Sequence, residues 1–293
     1  MRILIGSVVA FVVLVGVLQP QRVHTTEVLF GGDMLFDRYI RLVSERQGTD
    51  FVFSCIDEVL AEVDVVIANL EGPITSFPSV STGTVPGSDD NFVFTFPEGT
   101  AELLARYNIG IVNIGNNHIG NFGAGGIEQT KELLAGAGVE YIGDPPSHAV
   151  VKRNVNGVPL AFISFTEFGG SLEKAVSQVQ SARTQGYIPI VYAHWGDEYV
   201  GVGKRVRAYA YTLVDAGAGL IVGSHPHVVH PSEVHKGTPI YYSLGNFIFD
   251  QYFSHDVRSG LLLKVSITQK GDMEFTEIPV YLESDGRTCR AQR

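Results

Sequence analysis

Side chains able to hold a divalent cation recur along this chain at Asp33, Glu71, Asn117, His194, His225 and His227. Aspartate and glutamate offer hard anionic oxygens, and one carboxylate can bridge two cations. Asparagine completes a coordination shell without adding charge. Imidazole nitrogens suit Mn, Zn or Fe, whereas a Mg or Ca site draws almost wholly on oxygen. The set therefore predicts a divalent metal cofactor, Mn or Zn with Fe as the alternative, present as one ion or two. Such a centre lowers the pKa of a bound water and steadies charge on a phosphoryl or carbonyl oxygen. Taken singly, any of these residues is more often a turn or core position than a ligand. Their shared placement is what sets them apart.

Each follows a predicted strand. Residues 28–30 read as a strand running into Gly31-Gly32-Asp33, and 65–68 as a buried strand ending at Asn69-Leu70-Glu71-Gly72. The strand 109–114 leads to Gly115-Asn116-Asn117-His118, 187–193 to His194, and 220–222 to Gly223-Ser224-His225-Pro226-His227. Loops at the carboxyl ends of strands in an α/β sheet face one crevice, so residues distant in sequence converge there. Helical patterns at 51–61, 97–107, 126–134, 171–183 and 205–216 alternate with the early strands. Hairpins accumulate late: Asn156-Gly157 suits a type I′ turn, and Lys236-Gly237 and Lys270-Gly271-Asp272 mark further reversals. The Ser/Gly/Pro-rich stretch 76–90 is a long loop of the functional or mobile kind. These two styles predict one α/β (α+β) domain, two mixed sheets flanked by helices.

Composition narrows the function. With 293 residues, 45% of them hydrophobic, the chain can bury one large core. A net charge of -10 and no Lys/Arg-rich block argue against a nucleic-acid partner. They leave an anionic substrate open, because a metal or a few local arginines override the global sign. Cys55 and Cys289 either pair in an oxidising compartment or stand as unrelated thiols. Arg2 precedes an apolar run at 3–18, with neither a clean small-x-small cleavage site nor a lipid-carrying cysteine after it. Residues 1–25 thus read as an uncleaved signal anchor, with a cleaved signal peptide as the alternative. Either exports the rest: a catalytic domain held at the cell membrane outside the cytoplasm, or a secreted one. Residues 26–284 are expected to form that domain and 285–293 a polar C-terminal tail.

The motifs then read in order. They are Gly32-Asp33-Met34-Leu35-Phe36-Asp37-Arg38, Ala68-Asn69-Leu70-Glu71-Gly72-Pro73-Ile74, Gly115-Asn116-Asn117-His118 and Ala193-His194-Trp195-Gly196-Asp197-Glu198-Tyr199. Two more follow, Gly223-Ser224-His225-Pro226-His227-Val228-Val229 and the run from Tyr242 through Asn246 and Asp250 to Gln251. In identity and order this series resembles the CapA family (capsule and poly-γ-glutamate synthesis), itself similar to calcineurin-like metallophosphoesterases. The resemblance implies a four-layer αββα sandwich of two mixed sheets flanked by helices.

It also implies roles. Asp33 matches the aspartate of an Asp-x-His motif, and Glu71 stands where a bridging carboxylate is expected. Asn117, His194 and His225 would share one metal, with His227 beside Asp33 at the other. His118 would contact substrate or protonate a leaving group, and Arg38 would clamp a phosphate or carboxylate. Asn69, Asn116, Trp195, Asn246 and Asp250 are candidates for substrate contact or for supporting the ligands. The sequence departs from the motif at Leu35, where a histidine ligand would stand. The implied function is a metal-dependent hydrolase in synthesis, export or release of an anionic cell-envelope polymer, or acting on a phosphoester. The alternative is a non-catalytic polymer-binding or scaffolding subunit of a membrane synthase complex.

Overall fold

The computed structural model describes residues 25–145 and 147–291. The apolar run at 3–18, and with it the expected anchor, lies outside them. Among the described residues no helix is long and apolar enough to cross a membrane.

Two sheets stack face to face because their strands alternate buried side chains toward both surfaces. In the first sheet, β1 (Thr25–Met34), β2 (Val65–Leu70), β3 (Ile109–Asn113) and β4 (Glu140–Ile142) run parallel as successive neighbours. On the other side of β1, the antiparallel strands β12 (Ser259–Thr268), β13 (Met273–Leu282) and β14 (Thr288–Arg290) complete it. A short strand, β11 (Asn246–Ile248), pairs in parallel with the end of β1, setting Asp33 opposite Asn246. The second sheet has the order β5 (Val151–Val155), β6 (Val158–Thr166), β7 (Ile188–His194), β8 (Leu220–Ser224), β10 (Thr238–Tyr241) and β9 (Ser232–His235).

Between the sheets, Val28, Phe30, Val65 and Ile67 meet Leu160, Phe162, Ile190, Tyr192 and Val222. The intervening residues of the same strands face outward. Leu29, Val66 and Ala68 pack on α1 (Arg38–Gln47), α2 (Asp57–Ala61), α3 (Thr100–Arg106) and α4 (Gly123–Gly136). Ala161, Ile163 and Val191 pack on α5 (Leu172–Thr184) and α6 (Lys204–Ala216). The result is the four-layer αββα sandwich. Each fully buried Leu, Ile or Phe in it contributes about 2 kcal/mol. The Tyr192 hydroxyl donates to the Gly31 carbonyl at 2.7 Å and ties the sheets together near the site.

Two glycines are required by close approach. A Cβ on Gly32 would lie 1.8 Å from the Gly245 carbonyl oxygen, and one on Gly223 would lie 2.1 Å from that of Tyr242. Both precede site residues, so backbones crowd where the ligands emerge. The type I′ hairpin is present, with Asn156 and Gly157 at φ 51° and 87°.

Three elements differ from the sequence expectation. The helix expected at 51–61 is a 3-10 turn (Thr49–Phe53) followed by the short α2, and the break falls at Cys55. Helix α1 adds to the expected elements; its start is held by the Asp37 carboxylate, which accepts from the Arg38 amide at 3.0 Å. The expected polar tail at 285–293 instead supplies β14, and Cys289 within it is disulfide-bonded to Cys55, with Cα atoms 4.8 Å apart.

Candidate metal centre

Strand ends from both sheets bring the candidate ligands together. Asp33 closes β1 and sits opposite Asn69 on β2, while His194 closes β7 opposite Ser224 on β8. His227 Nδ1 lies 3.4 Å from Asp33 Oδ2, and its Nε2 3.7 Å from Glu71 Oε1. His194 Nδ1 is 3.8 Å from Asp33 Oδ1, and its Nε2 is 4.0 Å from Glu71 Oε1 and 2.7 Å from Asn117 Oδ1. Ligand atoms of Glu71, His225 and His227 all fall within 4.8 Å of one another. His225 and His227 hold positive φ values of 95° and 58°, strained for side-chain-bearing residues, and so turn two imidazoles toward one point.

The electrostatics show what this cluster lacks. Asp33 and Glu71 are both fully buried. Burial pushes the Glu71 carboxyl well up, and the neighbouring Asp33 charge pushes it further. Burial would raise Asp33 too, but the hydrogen bond and charge of His227, the charge of His194 and the His225 amide together hold it below the ordinary range. His227 is pushed up to about 9: burial opposes its charge, but Glu71 and Asp33 prevail. His225 is lowered to about 4 by burial and then by the His227 charge. Glu71 Oε1 and His225 Nδ1 are buried with no hydrogen-bond partner among the described residues. Two buried carboxylates, orphaned oxygen and nitrogen lone pairs, and no lysine or arginine among the groups bonded to them together fit a divalent cation.

The comparisons agree with this geometry. The model of a family described as bacterial capsule synthesis protein PGA_cap matches residues 27–251. The chain belongs to that family. It is 30% identical over 272 residues to the PGA biosynthesis protein CapA of Bacillus subtilis, covering 86% of this chain and 70% of that one. It is also 30% identical to the capsule biosynthesis protein CapA of Bacillus anthracis, covering 86% of this chain and 66% of the relative. Among solved structures, a novel phosphatase from Mycoplasma pneumoniae superposes with a TM-score of 0.54 at 10% identity, over 88% of this chain and 94% of that one. The fold of this PGA_cap member is therefore metallophosphoesterase-like.

Around the cluster, the supporting residues divide. Asn69 Nδ2 donates to Asp33 Oδ1 at 2.9 Å, and its Oδ1 accepts from Asn116 at 3.1 Å and Asn113 at 2.9 Å. Asn246 Oδ1 faces His227 Nδ1 at 2.9 Å. These asparagines orient ligands. Arg38 is engaged within the protein on one side only: its guanidinium pairs with Asp250, contacts Asn91 Oδ1 at 3.3 Å and lies between the Phe94 and Phe249 rings, while its Nε has no partner among the described residues. Asp250 is thereby occupied at Arg38, away from the ligands. Trp195 does not wall the site. It is fully buried in the outer core of the second sheet, with its indole N–H donating to the Tyr242 carbonyl at 2.9 Å. Leu35 is also fully buried, in the core beneath α1, so the position where a histidine ligand would stand faces away from the cluster.

His118 packs on Phe94 and is lowered to about 4, chiefly by burial. Its Nδ1 lies 3.1 Å from Asn121 Oδ1, whose amide nitrogen donates to the Phe92 carbonyl at 2.9 Å. Burial thus favours the neutral imidazole of His118 in the free protein. Ser224, Asn113, Asn121 and Phe168 were missed at the sequence level. Ser224 Oγ lies 2.9 Å from His194 Nδ1, and Phe168 packs on His194 and His225. Ser224 sits inside a quoted motif and Asn113 at a strand end, so position alone offered a signal; Phe168 offered none.

Proposed function

We propose that this chain is a divalent-metal hydrolase, held at the membrane outside the cytoplasm, that cleaves an anionic cell-envelope polymer of the poly-γ-glutamate kind. The observation that carries this reading is the buried carboxylate–imidazole cluster whose Glu71 Oε1 and His225 Nδ1 have no partner among the described residues. The two CapA relatives, proteins of PGA and capsule biosynthesis, support the choice of polymer. A bound Mn or Zn would supply an acidified water and a counter-charge for the developing oxyanion. Asp33, Glu71, Asn117, His194, His225 and His227 would hold the metal, as one ion or two. His118 Nε2 takes a proton as water attacks the amide or phosphoryl centre and returns it to the leaving group. The test is turnover of a γ-glutamyl oligomer or a phosphodiester by the purified chain loaded with Mn or Zn. His194→Ala should lose at least about 100-fold; full activity in that variant would sink the proposal.

One observation favours a second reading, a non-catalytic polymer-binding subunit of a membrane synthase. Leu35 points into the core, which leaves the Asp33 side of the centre one imidazole short. Stoichiometric metal without turnover, together with co-purification of synthase subunits, would decide for it.

A further inference from the structure

A cleft of about 470 Å³ opens beside the metal centre, within the range of ligand pockets. It is wired to the ligands: Tyr199 Oη accepts from Gln251 Nε2 at 2.7 Å, Gln251 Oε1 accepts from Asn246 Nδ2 at 3.0 Å, and Asn246 Oδ1 faces His227. The Tyr199 ring itself lies 5.9 Å from that of His227.

The cleft presents donors and apolar surface. Arg38 Nε and Ser81 Oγ belong to its lining, are buried, and have no partner among the described residues. The carboxylate in the lining, Asp250, is already engaged by Arg38 and by the Tyr39 amide at 3.1 Å. A ligand rich in acceptor oxygens therefore meets groups that need one. The rim is aromatic: Phe92, Tyr199 and Phe253 are 45%, 42% and 67% exposed. Such rings pack on methylene chains.

We infer that this cleft is the chain-binding subsite for an acidic, amide-linked polymer. An oxygen of one repeat takes hydrogen bonds from Arg38 Nε and Ser81 Oγ, with a small rotation of the serine hydroxyl. Phe92, Tyr199 and Phe253 pack on the repeat's methylenes and hold the neighbouring bond at the metal centre. The choice of polymer rests on the proposed function; the binding itself does not need turnover.

The experiment is calorimetric titration of a γ-linked glutamate oligomer into the full chain in EDTA. Wild type should bind, and Phe92→Ala combined with Phe253→Ala should weaken the Kd by about tenfold or more, roughly 1.4 kcal/mol, with an unchanged melting temperature. Ser81→Ala should weaken it less. An unchanged Kd in the double variant, no binding to wild type, or equal competition by a neutral oligosaccharide would each overturn the assignment. Mn-dependent hydrolysis of bis(p-nitrophenyl) phosphate reads the metal centre separately. Binding without that hydrolysis removes the hydrolase and keeps the cleft, whereas hydrolysis without binding does the reverse.

Discussion

At the scale of single residues, Glu71 is poorly accommodated without a metal, since its buried carboxyl is driven toward the neutral form and one oxygen has no partner among the described residues. Replacing it with glutamine removes the charge and keeps the shape. Glu71→Gln should therefore leave the EDTA-treated protein as stable as wild type or more so, while lowering metal affinity by at least about 100-fold. Melting curves in EDTA and bound-metal analysis after dialysis check both halves; a large loss of stability in EDTA would mean that Glu71 is structural. Leu35→His asks the converse question. Leu35 faces the core, so a new imidazole there meets apolar neighbours and cannot reach the cluster. The variant should be destabilised by about 2–4 kcal/mol with no gain in metal stoichiometry. An added equivalent of bound metal would show that β1 can turn the side chain over.

At the scale of elements, the loop at 79–95 is gathered by one carboxylate. Asp37, fully buried, accepts from Ser79 Oγ at 2.6 Å, Thr82 Oγ1 at 3.1 Å, the Thr95 amide at 2.9 Å and Arg41 Nε at 2.9 Å. Burial alone would raise its pKa, but these partners hold it below the usual carboxylate value of 3.8. A lowered folded pKa means stability that is present above pH 3.8 and lost as the pH falls through the folded value. Asp37→Asn should remove that part of the acid transition and expose the loop to limited proteolysis at pH 7. A variant as resistant as wild type would locate the anchor elsewhere. The disulfide acts at the other edge: Cys289→Ser frees β14 and should cost about 2–4 kcal/mol, read from denaturant midpoints under non-reducing conditions. Much of the sandwich was legible because alternating strands, the Asn156-Gly157 turn and strand-end polar residues are local signals. What stayed hidden is non-local. Helix α1 depends on Asp37 and on a distant loop, and the pairing of Cys55 with Cys289 depends on the last strand returning to the turn before α2. The pairing of Arg38 with Asp250 was equally hidden, because the two lie 212 residues apart in sequence.

At the scale of the whole molecule, the centre is a joint between two sheets. Asp33 lies at the end of β1 and Glu71 just after β2 in one sheet, while His194 ends β7 and His225 and His227 follow β8 in the other. Without a cation, the faces meet there through two acids and imidazoles of conflicting preference. With one, the same atoms become a cross-link. Metal binding is thus coupled to the docking of the sheets as well as to chemistry. At a free metal concentration about 100-fold above Kd, the gain in unfolding free energy is about 2.7 kcal/mol for one site. The gain should be uneven. Amide exchange should slow most at the ends of β1, β2, β7 and β8 and in the turn carrying His225 and His227, and hardly at all in the edge strands β9 and β14. A melting temperature that rises with Mn while protection rises equally at the edges would point to weak, dispersed binding at surface acids. Protection confined to the strand ends, and absent in Glu71→Gln, is the pattern that a cation shared between the sheets would produce.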